Sequence, residues 1–348
     1  MPFGQSAAAR RFQVMALTDL GDLAFQQKRY RDAAKNYEAA RLRAKEAHRL
    51  DLSWPAAYGL GRTLWALAES ETSVSTGKSN SSRDLALGAY REAIAGIEEL
   101  RGRSIRGDEA RQSFAAQTAD VYSEFTEVLA TLAAHASGDV SRPLQGEALQ
   151  LANEAFVISE RARARALLDL MAETGAEVSE GFQTTLLEKR RELHSRQSQL
   201  SDQLMGIVPS ERGAESQSDE MLEVEIDRLG EQSAKLEAEL RASNPRYASF
   251  TAPVPLTLSE VQTQLIEPNT VLVTYTLAEN RSCLWLVSQE GVWLHPIAGT
   301  ASLTPMVTKL RELMLASSHT RGRTANAEPA TAAASLPNSE QRPVSRLG

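Results

Sequence analysis

A leucine–glycine pair, followed downstream by an alanine and a tyrosine four residues apart, occurs twice in this chain, and that recurrence limits its fold more than any other feature. Leu20-Gly21 precedes Ala33 and Tyr37, and Leu60-Gly61 precedes Ala86 and Tyr90. Repetition of this kind means that one structural unit is reused, each copy burying its apolar side against the next. The surrounding composition says what the unit is made of. Alanine, leucine, glutamate and arginine dominate residues 7–173 with few prolines, as long helices require. Glycine and alanine let helix backbones approach closely, and the aromatic then fills the groove between neighbouring units.

This order of small and aromatic residues resembles the tetratricopeptide repeat. The first unit reads as a helix near 13–27, a turn at Lys28-Arg29 and a second helix near 31–50. In the second unit residues 70–84, rich in Ser, Thr, Gly, Lys and Asn, read as a mobile polar loop between its helices. Val121, Tyr122, Phe125, Val128, Leu129 and Leu132 make an amphipathic stripe around 108–136, and Ala152 with Phe156 repeats the alanine–aromatic spacing within 144–173. Residues 1–175 are therefore expected to form tetratricopeptide-like repeats. Leu20, Gly21, Ala33, Tyr37, Leu60, Gly61, Ala86 and Tyr90 are the expected packing residues, and a protein or peptide is the expected partner on the repeat surface.

Charge and cysteine usage narrow the function classes. A net charge of −7 and a pI near 5.5 argue against nucleic acid or an acidic membrane as general partner. Arginines and lysines do cluster at Arg161, Arg163 and Arg165 and at Lys189, Arg190 and Arg191, but beside acidic residues, which reads as a solvated face with ion pairs. The single cysteine, Cys283, leaves no internal disulfide and no multi-cysteine metal site, and the five histidines show no helical ligand spacing. No metal and no cofactor is implied. With no signal-like segment or transmembrane run in the sequence, the expected location is the cytoplasm; a start codon further upstream would hide a signal.

Residues 181–243 read as an antiparallel helical hairpin. Leu222, Ile226, Leu229, Leu236 and Leu240 follow heptad steps, with Ser233 in the one polar slot, while Leu186, Leu193, Leu200 and Leu204 form the facing stripe. The rival arrangement is a homodimeric coiled coil through 183–242. After Asn244-Pro245 the period changes. Thr257 and Glu260 form a capping box before a short helix reaching Ile266, with Leu256 and Val261 as its staple. Three β-rich runs follow, Thr270–Leu277, Ser282–Ser288 and Gly291–Ile297, with short links that make neighbours antiparallel. A last helix is expected to open at Thr304-Pro305, carrying Met306, Leu310, Leu313 and Met314.

Several stretches in this order resemble bacterial CHAT proteins, in which tetratricopeptide repeats precede a caspase-like cysteine peptidase domain. They are Glu160-Arg161-Ala162-Arg163-Ala164-Arg165 with Leu167-Leu168, Asn244-Pro245-Arg246-Tyr247, Leu258-Ser259-Glu260-Val261-Gln262, and Val271-Leu272-Val273-Thr274-Tyr275 followed by Leu284-Trp285-Leu286-Val287. The resemblance implies that 250–315 is the N-terminal part of a CHAT domain. It also implies a His-Gly and a cysteine after a small residue, converging at adjacent strand ends so that the thiolate attacks a carbonyl. No histidine here precedes a glycine, and Cys283 lies in an early strand between Ser282 and Leu284. No catalytic residue is therefore assigned, and Cys283 and His295 read as ordinary strand residues. Residues 316–348, nearly free of apolar side chains, read as a disordered tail. A reading frame broken near Ala316 is the favoured explanation; a fragment or a natural short form are the alternatives. The fold expected is mainly α, with helical repeats and a helical hairpin followed by a partial α/β unit. The function expected is a protein-interaction scaffold, the recognition half of a CHAT-type peptidase; the alternative is a fragment of an active peptidase whose His/Cys dyad is encoded downstream.

Overall fold

The alanine-rich, proline-poor first half forms a succession of long helices: α1 (Ala7–Gln26), α2 (Tyr30–Glu46), α3 (Leu50–Glu71), α4 (Thr76–Gly102), α5 (Asp108–Ser137) and α6 (Gly146–Glu173). The computed structural model describes residues 7–47, 49–71, 76–102, 108–173, 217–244 and 254–325, with 186, 188–193, 195–196 and 199–200 between them. The chain turns from α1 into α2 at Lys28, whose φ of 58° lets the Arg29 N–H reach back to the Ala24 carbonyl at 2.9 Å.

What sets the spacing of the first helices is one aromatic ring. A Cβ placed on Gly21 of α1 would stand 2.7 Å from the ring of Tyr37, and one placed on Gly59 of α3 would stand 2.3 Å from it. Tyr37 of α2 thus fills a slot between two backbones that exists only because both positions lack a side chain. Tyr90 of α4 repeats the arrangement: Gly61 lies 3.0 Å from it by the same measure, and its other neighbour is Phe125 of α5, stacked at 5.2 Å with planes 6° apart. Ala33, Ala40, Ala57, Ala86 and Ala93 are fully buried in the same layers. Across the opposite side, ion pairs join the even-numbered helices: Arg41 to Glu92 at 2.9 Å and Arg91 to Glu154 at 2.7 Å.

The hairpin's second arm is α7 (Gln217–Ser243). Leu236 and Leu240 are buried against Leu186 and Leu193, and Arg196 approaches Glu225 at 4.0 Å. Earlier residues of one arm meet later residues of the other, so the arms run antiparallel. Ser233 is buried in this seam, and its hydroxyl has no hydrogen-bond partner among the described residues.

The last unit is α8 (Leu258–Gln264), then β1 (Leu272–Thr276), β2 (Arg281–Ser288) and β3 (Gly291–Ala298), antiparallel in the order β1-β2-β3. The capping box is present: the Glu260 N–H donates to the Thr257 hydroxyl at 3.2 Å, and the Thr257 N–H donates to the Glu260 carboxylate at 2.8 Å. One face of the sheet carries Cys283, Trp285, Val287, Val292 and Leu294 into the main core, where the indole of Trp285 meets Phe156 edge-on at 5.7 Å. The sheet is therefore continuous in its packing with α5 and α6. Each of its edges is met at one backbone carbonyl: the Leu144 N–H donates to the Val292 carbonyl at 2.7 Å, and the Arg163 guanidinium, also paired with Glu160, donates to the Tyr275 carbonyl.

Three expectations need correction. Leu20 is 51% exposed, whereas its counterpart Leu60 is 8% exposed, because α1 and α2 cover α3 while no described helix lies outside α1. Residues 70–84 are not one long loop: α3 runs to Glu71 and α4 begins at Thr76, with 72–75 outside the described residues. The part of α4 from Ala86 to Ile97 is packed in the core, and adding residues to an existing helix costs less than starting one, so the weak formers before it can belong to the same helix. The last helix, α9 (Thr300–Ala325), also exceeds its expected bounds: it starts before Pro305 and continues ten residues past Leu315, although its side chains from Ala301 to Leu315 are exposed except at Leu303; the remainder of the expected tail, 326–348, lies outside the described residues. Pro305 inside α9 has no N–H for the carbonyl one turn back.

The glycines give a paired prediction. Gly59→Ala should destabilise the chain by about 1–3 kcal/mol, since the new methyl must displace the Tyr37 ring. Gly88→Ala, where a Cβ would meet nothing within 4 Å, should stabilise it by about 0.5–1 kcal/mol. Ser233→Ala should stabilise the hairpin by about 1 kcal/mol through removal of the unsatisfied hydroxyl. Urea midpoints followed by circular dichroism check the signs of all three.

Candidate protein-binding face

The odd-numbered helices are tied together by a polar and aromatic seam. Arg62 of α3 lies over the rings of Phe25 of α1 (4.8 Å) and Tyr58 of α3 (5.2 Å), and its Nε stands 3.0 Å from the Glu124 carboxylate of α5. Tyr58 and Arg62 are one helical turn apart, which is why both reach the same side of α3. At the α1 end, the Tyr37 hydroxyl donates to Asp22 at 2.5 Å. Burial, helped by that Asp22 bond and charge, pushes the Tyr37 phenol well above its ordinary value. The three helices thus share one continuous band of side chains.

Negative charge is crowded at the α5 end of this band. Burial holds the Glu124 carboxyl above the usual carboxylate range, with Asp120 adding to the rise, against the pull of Arg62 and of hydrogen bonds from Tyr58 and Tyr90. Burial likewise raises Glu127, and the charges of Glu124 and Glu69 push it further; Arg281 at the start of β2 opposes them. Arg62 and Glu124 keep 37% and 33% of their side-chain surface open, so both can meet a second molecule. Chemically, the band offers carboxylates, a guanidinium and aromatic edges in a row.

The packing residues read from the repeats lie beneath this band. Gly21, Ala33, Tyr37, Leu60, Gly61, Ala86 and Tyr90 come together in the helix layers, whereas Leu20 points outward and lines a shallow depression with Leu23, Arg29, Asp32 and Lys35. Sequence reading missed Gly59, Phe25, Tyr58, Arg62 and Glu124. The run Tyr58-Gly59-Leu60-Gly61-Arg62 carried a usable signal, an aromatic and an arginine four apart around two glycines.

Cys283 and His295 do not converge. Register places His295 opposite Leu284 and Cys283 opposite Pro296, so the two side chains leave the sheet on opposite faces. Burial, with Glu127 adding to it, pushes the Cys283 thiol up to about 11. Among the described residues no cluster of three or more His, Cys, Asp or Glu could hold a metal ion, and no helix is long and apolar enough to cross a membrane.

Fold and site together define a class: a mainly helical protein of paired, glycine-spaced helices that carries a small antiparallel sheet on its last pair. No protein-family model matches the chain, and no curated protein matches it.

Two titrations follow. Cys283 should stay unreactive toward a thiol-specific disulfide reagent at neutral pH until the chain unfolds, with the folded-state rate rising only as pH approaches about 11. The unfolded thiol loses its proton near 9.0, so this group's contribution to stability is intact below that value and is lost between there and about 11. Glu127 has a folded value raised above its unfolded one, so its contribution is fully present at acid pH and is lost as pH rises through the folded value. Glu127→Gln should therefore raise the melting temperature by about 1–2 °C at pH 7 and change it less at pH 5, as scanning calorimetry would report.

Proposed function

We propose that this chain is a protein-interaction scaffold of tetratricopeptide style, resembling the recognition half of a CHAT-type peptidase and acting without a catalytic dyad of its own. The observation that carries the reading is the Arg62 seam. Phe25, Tyr58, Arg62 and Glu124 come from three successive odd-numbered helices and remain partly open, beyond what packing of those helices requires. The glycine–tyrosine slots at Gly21–Tyr37–Gly59 and Gly61–Tyr90 support the repeat likeness, because they place an aromatic between units where the sequence pattern predicts one. The partner is a protein or peptide segment lying along that band. A cationic segment suits it best, since Glu69, Asp120, Glu124 and Glu127 outnumber the guanidiniums of Arg62 and Arg281 there. The buried thiol at Cys283 and its separation from His295 fit a non-catalytic role.

Homodimerisation through 183–242 is the second reading, favoured by Met221 and Val224, which are exposed on α7 outside the intramolecular seam.

A peptide array tests the main reading. The chain should retain basic peptides at micromolar levels, and Arg62→Ala with Glu127→Gln should weaken them at least ~10-fold while leaving the helical signal intact. Retention unchanged in those variants sinks the reading. The same array scored for cleavage should show none; cleavage abolished by Cys283→Ser would establish a peptidase instead.

A further inference from the structure

Two apolar surfaces lie open in the last unit. The first is on α9, where Met306, Val307, Leu310, Leu313 and Met314, at helical spacing, are each 57–67% exposed. The second is the sheet face turned away from the main core, where Val273, Tyr275 and their flanking Val271 and Leu277 are about half exposed. Register puts Leu286 and Trp293 in line with Val273, and Leu284 and His295 in line with Tyr275, so that face is apolar on β1 and β2, while on β3 it carries His295 beside Trp293, whose indole N–H donates to the Ser141 carbonyl at 3.3 Å. Few soluble surfaces carry one such patch without use, and this unit carries two.

The helix does not cover its own sheet, and the joint shows why. Only Gly299 separates β3 from α9, and a Cβ there would stand 2.1 Å from the Glu279 carbonyl. The Thr300 N–H donates to the Ala278 carbonyl at 2.9 Å, clamping the start of α9 to the β1–β2 turn. With its first turn fixed, α9 leaves the strand end with its side chains from Ala301 to Leu315 exposed except at Leu303, the apolar stripe among them.

We propose that two copies of this chain pair reciprocally, the apolar stripe of α9 from each lying across the open sheet face of the other. Dimensions agree. A helix about 10 Å across covers three strands whose outer axes lie roughly 10 Å apart. From Met306 to Met314 the stripe runs about 12 Å, less than the length of an eight-residue strand. Area decides between arrangements. Pairing α9 with α9 leaves both sheet faces wet, whereas reciprocal exchange buries both patches of both copies, on the order of 1,200 Å² in all, where specific dimers begin.

The test uses the full chain and two variants at exposed positions, Leu310→Glu on the helix and Val273→Glu on the sheet. Sedimentation should give a dimer at micromolar concentration for the wild type. Each variant alone should be a monomer, its dissociation constant raised at least ~100-fold, with unchanged circular dichroism. Mixing the two variants should restore a dimer of intermediate affinity, because one helix and one sheet face remain intact in the mixed pair. A monomeric wild type overturns the proposal. So does a dimer that Val273→Glu leaves untouched, which would indicate helix-to-helix pairing, or one lost only on Met221→Glu, which would belong to the hairpin. Failure of the mixture to recover overturns it as well. Loss of peptide retention on the Arg62 seam leaves this test unaffected, since the two surfaces share no residue.

Discussion

An aromatic ring held between two helix backbones sets the geometry on which everything else rests. Tyr37 sits where side chains on Gly21 and Gly59 would otherwise be, so α1, α2 and α3 meet at a separation fixed by the thickness of one ring. Close packing inside proteins makes such a contact stiff in both directions: a smaller residue leaves a void and a larger one forces the helices apart. Tyr90 transmits the spacing to the next layer through Gly61 on one side and Phe125 on the other. Alanines take up the rest of the contact, and the result is an array whose order is set by where bulk is absent.

The two sides of that array differ in kind. On the side of the even-numbered helices the charges are paired: Glu92 meets both Arg41 and Lys45, Arg41 also holds Glu38, and Arg91 meets Glu154. On the side of the odd-numbered helices, Glu124 and Glu127 are held closer together than their charges favour. A protein tolerates crowded like charge at a cost in stability, and such a cost is most often kept where function draws on it. The contrast between a side of paired charges and one where carboxylates outnumber guanidiniums is what distinguishes the candidate face from ordinary surface.

The long helices, the hairpin, the capping box at Thr257 and the three strands were legible because each rests on local periodicity or on one short motif. Most of the packing spine was legible for the same reason. The Arg62 seam was not, because it needs α1, α3 and α5 to be neighbours, and nothing within any one helix encodes that. Gly59 was hidden by its equally plausible neighbour Gly61; only the position of Tyr37 separates their roles. Leu20 followed the repeat pattern but sits on the outermost described helix, where the pattern's usual cover is lacking. Residues 76–84 and 316–325 misled in the opposite sense. Their composition is poor for helix nucleation, yet each is contiguous with a longer helix, and extension asks far less of a residue than initiation does.

Arg163 has a consequence beyond joining α6 to the sheet. A strand at the margin of a sheet offers unpaired backbone groups that recruit further strands, the route by which folded proteins seed fibres. By donating to the Tyr275 carbonyl and the Thr274 hydroxyl, the guanidinium occupies part of that margin with a charge that an incoming strand would have to bury or displace. The other margin is taken by the Leu144 amide. Growth by strand addition is thus opposed at one place on each edge of a sheet only three strands wide, by a charge on one side and by the chain's own backbone on the other.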